Sequence, residues 1–177
     1  MTYRLLHSRR VFDGKVVALR LDEVETPAGG RFVAEIVEHR GAVAIVPVTA
    51  DGHVLLVRQY RPPVGRELLE VPAGTIESGE APEACARREL AEEAGQAAGR
   101  WEWLTSFYPS PGILTEQLYV YLARELTPHP VPREEEDLRV EAVPLLDARR
   151  RVDSGEICDA KSIIGLHAAC ARLGLHP

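Results

Sequence analysis

Apolar and polar residues alternate, or β-branched residues accumulate, through positions 3–8, 15–24 and 31–38, so three strands are expected there. Thr26-Pro27-Ala28-Gly29-Gly30 separates the last two and reads as a hairpin turn. The pattern then changes. Positions 42–48 form a nearly continuous apolar run, as a strand buried on both faces requires, and Asp51-Gly52 turns the chain into a further strand at 54–59. The stiff stretch Arg61-Pro62-Pro63-Val64-Gly65 precedes a strand at 68–71, and 101–108, 117–122 and 138–145 read as later strands. Helices are expected at 147–152 and 160–173, the second with Asp159 as N-cap and Gly174 as C-cap. The sum is a mixed sheet flanked by helices, an α/β fold, preceded by an antiparallel β unit. Residues 1–40 are too extended to form a core alone. They are expected to pack on the main domain, 41–177, or on a second subunit.

A length of 177 residues suits one domain with a sizeable core, and 45% hydrophobic residues is ordinary for a globular chain. The net charge of −6 argues against general affinity for nucleic acid or an anionic membrane. An anionic substrate would need cations gathered locally. Cys85, Cys158 and Cys170 are odd in number and lack CxxC spacing, so reduced thiols are expected. No secretory leader pattern opens the sequence and no apolar run approaches a bilayer span, so the expected location is the cytoplasm.

One segment concentrates chemistry. Between Gly74 and Gly95 the chain supplies loop glycines at Gly74 and Gly79, Pro82 for a first helical turn and Gly95 for a left-handed stop, which predicts a helix over 81–94. Glu89 and Glu93 then stack one turn apart with Glu92 beside them. Like charges so close destabilise an isolated helix, and a hard divalent cation would relieve them because Mg²⁺ takes oxygen ligands and keeps room for substrate phosphates. The competing reading of the three acids is a solvated acidic helix face. Cys85 lies a turn from Glu89 and is read as a small buried apolar side chain rather than a soft-metal contact.

Gly74, Glu80, Arg88, Glu89, Leu90, Glu92, Glu93 and Gly95 fall in register with a Gly, five residues, a Glu, seven residues, then Arg-Glu-aliphatic-any-Glu-Glu-any-Gly-aliphatic. This resembles the signature of the Nudix hydrolase superfamily. Only Gln96, in place of the final aliphatic residue, departs from it. The resemblance implies a Nudix-type α/β/α sandwich with a mixed sheet, matching the pattern above. It also implies that Glu89, Glu93 and the Ala73 carbonyl hold Mg²⁺, with Mn²⁺ or another divalent cation able to substitute. Glu92 would be a further metal ligand or a base, and Arg88 would pin the loop through Glu80 or Glu77.

Three further features are similar to the ADP-ribose pyrophosphatase subfamily. Pro111, with Gly112 after it, stands sixteen positions beyond Gly95. Arg58 and Arg61 precede Glu70 and Ala73 as the subfamily's approach to the box does, and could clamp phosphate. The acidic run Glu134-Glu135-Glu136 falls where a catalytic glutamate is carried, so Glu136, or Glu134, would activate the attacking water. Each feature has a bland counterpart: an ordinary Pro-Gly turn, surface arginines, a solvated acidic loop. The implied activity is Mg²⁺-dependent hydrolysis of ADP-ribose to AMP and ribose 5-phosphate. Another nucleoside diphosphate sugar such as GDP-mannose is the alternative, and a non-catalytic ADP-ribose-binding module a more remote one. The resemblance also implies a homodimer in which residues 1–40 cover the partner's site, with Phe12 or Phe32 stacking on the base. No nucleic-acid or membrane partner is expected.

Overall fold

The structure, a computed structural model, describes residues 2–132 and 137–175. The chain divides into two compact units, one of residues 1–41 with 108–117 and one of 42–107 with 118–177.

In the first unit, β1 (Arg4–Asp13), β2 (Ala18–Glu25) and β3 (Arg31–Glu38) form an antiparallel sheet in that order. β1 runs five residues further than the hydrophobic pattern indicates. Arg9 and Arg10 interrupt that pattern, yet the backbone stays paired to Asp13↔Ala18, and Arg10 is held by Glu38 at 2.6 Å. The turn after it, closed by Gly14 N–H on Val17 C=O, moves the start of β2 from 15 to 18. Segment Tyr108–Gln117 joins this unit because Val37 N–H bonds Ile113 C=O and Thr115 N–H bonds Val37 C=O.

The second unit is organised around β4 (Ala42–Pro47), every residue of which is buried. β4 pairs antiparallel with β7 (Ala73–Thr75) and parallel with β9 (Leu118–Pro128), which pairs with β8 (Gln96–Phe107). Successive strand residues face opposite ways, so Val43 and Ile45 enter one core with Leu90, Ala86 and Ala94 of α1 (Pro82–Ala94). Ala44 and Val46 enter another with Leu166 and Ala169 of α3 (Ala160–Arg172). The continuous apolar run is thus the middle layer of an α/β/α sandwich. Gly165 lets α3 approach closely, since a Cβ there would lie 3.1 Å from Val46 Cγ2. A second sheet, β10 (Arg139–Pro144), β5 (His53–Arg61) and β6 (Arg66–Glu70), carries α2 (Leu145–Asp153) after its edge strand. Among the described residues, no helix is long and apolar enough to cross a membrane.

The end of β6 is tied to the start of α3. Asp159 caps that helix by accepting from Ser162 N–H at 3.1 Å, and the fully buried Ser162 Oγ accepts from Val71 N–H at 2.8 Å. Ser162→Ala would leave a buried N–H unpaired, at a cost of about 1–3 kcal/mol. Urea unfolding should show that loss as a lower midpoint with an unchanged slope.

Candidate active site

Helix α1 begins after Ala81, an extended residue followed by Pro82, and ends where Gly95 takes φ 64° and donates its N–H to Ala91 C=O. That left-handed stop returns the chain at once into β8, where Gln96 is half-buried and pairs with Pro128. The segment before the helix differs from the sequence reading: Gly74 sits in β7, paired with Val43, rather than in a free loop. β7 is only three residues long and lacks an apolar run, so no periodicity marks it.

Pairing β7 with β4 brings its backbone against the acidic face of α1. A Cβ on Gly74 would lie 1.9 Å from Glu89 Cδ, so any side chain here would have to displace that carboxylate. Ala73 N–H donates to Glu93 Oε2 at 2.9 Å. Ala73, Gly74, Glu89, Glu92 and Glu93, with Arg88, line a cavity of about 250 Å³ that Gln59, Arg61 and Leu138 also line. Burial pushes the Glu89 carboxyl above its ordinary range, reinforced by Glu92 and Glu80 and only partly offset by Arg88.

Arg88 is the hub of this surface. Its Nε and Nη2 donate to the two oxygens of Glu80 at 3.0 and 3.1 Å, and Nη2 reaches Thr75 C=O at 3.3 Å. Nη1 donates to Glu89 at 2.7 Å and Glu92 at 3.0 Å. The hydrogen bond from Arg88 holds the Glu80 carboxyl down to about 2. Glu80 also accepts from Glu77 N–H, which closes the loop. Among the described residues, no three His, Cys, Asp or Glu groups converge as a metal-holding cluster, and Glu89 and Glu92 both take Arg88 as their countercharge. The donor set still fits a hard cation: the acids are oxygen ligands, they share one polar cavity, and desolvated Glu89 would be stabilised by positive charge. Cys85 is fully buried, with Sγ near Thr75 C=O at 3.6 Å, and burial pushes its thiol up to about 12. Such a thiol is a packing group, not a thiolate ligand.

The remaining sequence candidates separate by strand face. Arg61 and Gln59 point into the cavity, whereas Arg58, odd-numbered steps from both, faces the other side and bonds Glu141 at 2.5 Å. Glu70 is 1% exposed and does not line the cavity; both its oxygens are taken by Arg61 and one also by Lys161. Pro111 and Gly112 lie in the first unit, in a turn where Ser110 C=O accepts from Ile113 and Leu114 N–H. Glu134 and Glu136 lie outside the described residues. The sequence reading did not single out Gln59, Leu138, Lys161 or Ser162. A glutamate in the apolar stretch Leu68-Leu69-Glu70-Val71 was the available signal that a buried cation partner had to exist.

Comparison with known proteins agrees with this geometry. Residues 38–162 match the NUDIX domain. The chain is 42% identical over 162 residues to the ADP-ribose pyrophosphatase of Bacillus subtilis, covering 90% of this chain and 88% of that protein. It is 40% identical over 173 residues to the ADP-ribose pyrophosphatase of Mycobacterium tuberculosis, covering 96% and 84%. A crystal structure of an ADP compounds hydrolase superposes with a TM-score of 0.88 at 24% identity, over 98% of this chain and 95% of the other, which shows the shared fold. The chain belongs to the NUDIX family, and its α/β/α sandwich with a complete acidic box is that of a Nudix pyrophosphohydrolase.

Gly74 gives this surface its sharpest test. Gly74→Ala must displace the Glu89 carboxylate, and a misplacement near 1 Å costs on the order of a hundredfold in rate. Turnover should fall by about that factor while the far-UV circular dichroism spectrum is retained. An active variant would show that Glu89 need not sit against β7.

Proposed function

We propose that the protein hydrolyses the diphosphate of ADP-ribose to AMP and ribose 5-phosphate, with Mg²⁺ as its cation. The observation that carries this reading is that Glu89, Glu92, Glu93 and Arg61 line one polar cavity, in a chain similar to two ADP-ribose pyrophosphatases. Nudix hydrolases in general use divalent cations. Here Glu89, Glu93 and the Ala73 carbonyl would hold Mg²⁺, which supplies charge neutralisation and a template for the diphosphate oxygens. Glu92 is a further ligand or a base.

The chain's own groups do the rest. Arg61 offers planar N–H donors to a phosphate, a geometry suited to bidentate contact. Glu80 and Thr75 hold Arg88, which bridges Glu89 and Glu92 and orients them before substrate arrives. A water placed for attack on phosphorus needs a carboxylate to take its proton. Glu136, or Glu134, is assigned that role on the resemblance of the acidic run Glu134-Glu135-Glu136 to the subfamily's catalytic glutamate. Pro111 and Gly112 are assigned to substrate binding on the subfamily resemblance alone. Glu70 acts through its paired bonds with Arg61, whereas Arg58 is committed to Glu141 on the other strand face and is left out of the substrate-binding set.

The test is Mg²⁺-dependent product release from a panel of ADP-ribose, GDP-mannose, NADH and diadenosine polyphosphates. ADP-ribose is expected to give the highest kcat/KM, and a higher value for GDP-mannose would move the assignment to that sugar. Glu93→Gln should lower turnover on the order of a hundredfold or more, the scale of losing a charge-stabilising group. Near-normal turnover of that variant at saturating Mg²⁺ would remove Glu93 from the ligand set.

A homodimer completes the proposal, with the N-terminal sheet of one subunit covering the site of the other and Phe12 or Phe32 stacking on the base. Its support is the sheet's surface: Leu5, Phe12, Phe32 and Val33 are 58%, 57%, 46% and 59% exposed. Apolar strand faces of this kind are normally covered. Sedimentation equilibrium should return twice the mass of the chain, and a fully active monomer would reject the arrangement.

A further inference from the structure

Two consecutive residues of the first turn of α3 grip two consecutive residues of the chain entering the box. Ser162 takes Val71 N–H, as described, and Lys161 Nζ donates to Glu70 Oε2 at 2.5 Å. Lys161 is itself 14% exposed and is steadied by Asp159 Oδ1 at 2.8 Å. The other bonds of Glu70 come from Arg61, Nε to Oε1 at 2.9 Å and Nη2 to Oε2 at 2.7 Å. With three charged donors on a carboxylate that solvent does not reach, the plane of Glu70 is fixed. Arg61 lies against that plane as a fork, so its direction into the cavity follows from the Glu70 rotamer.

From these contacts we propose that Lys161, which does not line the cavity, is a positioning residue for diphosphate binding: it locks Glu70 so that Arg61 is aimed at the substrate. The proposal rests on the reading that Arg61 contacts the diphosphate. Without the ammonium, Glu70 Oε2 keeps Arg61 as its partner and the carboxylate can turn about its last torsion. A buried carboxylate that has lost one of two cations also draws the remaining guanidinium inward, away from the cavity.

Lys161→Met, Lys161→Gln, Lys161→Arg and Arg61→Ala, with the Lys161→Met/Arg61→Ala pair, separate the outcomes. KM and kcat are read with ADP-ribose, and the Kd of inorganic pyrophosphate is read by calorimetry at saturating Mg²⁺. Lys161→Met should raise KM and the pyrophosphate Kd by about tenfold while kcat stays within about twofold, on the scale by which losing an orienting partner weakens a ligand group. Lys161→Arg should recover most of the loss, and the double variant should bind no worse than Arg61→Ala. If Lys161→Met does not fold, Lys161→Gln, which retains an uncharged donor, should show the same direction of change. A lower melting temperature with unchanged KM and Kd would make Lys161 a purely structural residue and overturn the proposal. Unchanged pyrophosphate affinity in Arg61→Ala would overturn it together with the Arg61 reading. Failure of the wild-type protein to hydrolyse ADP-ribose would sink only the substrate assignment, because the pyrophosphate comparison decides the role of Lys161 without it.

Discussion

Three glutamates within one and a half turns of a helix would repel one another without a cation, and Arg88 is the cation the chain itself provides. Its guanidinium touches Glu80, Glu89, Glu92 and the Thr75 carbonyl, so one side chain joins the loop, the β7 strand and the helix. Each bond is charge-assisted, and the geometry uses the fixed fork of arginine in a way that a lysine point charge could not. The consequence reaches beyond stability. An acidic surface that would otherwise spread is held compact and facing a cavity, with its most buried member, Glu89, poised to gain from added positive charge.

That surface is placed by the sandwich. Since β4 is buried on both faces, α1 and α3 are fixed on opposite sides of one strand, and β7 pairs with the same strand beside α1. Gly74 is where the two meet: a hydrogen in place of a side chain admits the Glu89 carboxylate to the backbone. α3, though remote from the acids, is connected to them through Ser162 to Val71 and Lys161 to Glu70, a few residues before Ala73. The box is therefore held from both layers of helix.

A net charge of −6 and an anionic substrate are reconciled locally. Arg61 lines the cavity with the acids, and its own countercharge, Glu70, is kept out of solvent. The neighbouring Arg58 has the same charge but the opposite strand face, and it is spent on Glu141. Strand parity, rather than residue type, decides which arginine lines the cavity.

The sequence alone determined the helix of the box, with its start placed one residue early at 81 and its stop at Gly95, because these rest on local backbone chemistry that few residues satisfy. It determined the doubly buried strand at β4 and the cap at Asp159 for the same reason: run length and cap chemistry are local. The register of the acidic positions likewise fixed which residues share the helix face. Tertiary structure alone decided what required a partner distant in sequence. β1 continues past Arg9 and Arg10 because β2 pairs with it, and β7 exists because β4 offers an edge. The pairing of Lys161 with Glu70 spans 91 positions, and no periodicity or spacing encodes it; a buried carboxylate announces only that some cation must come, and the fold supplies which.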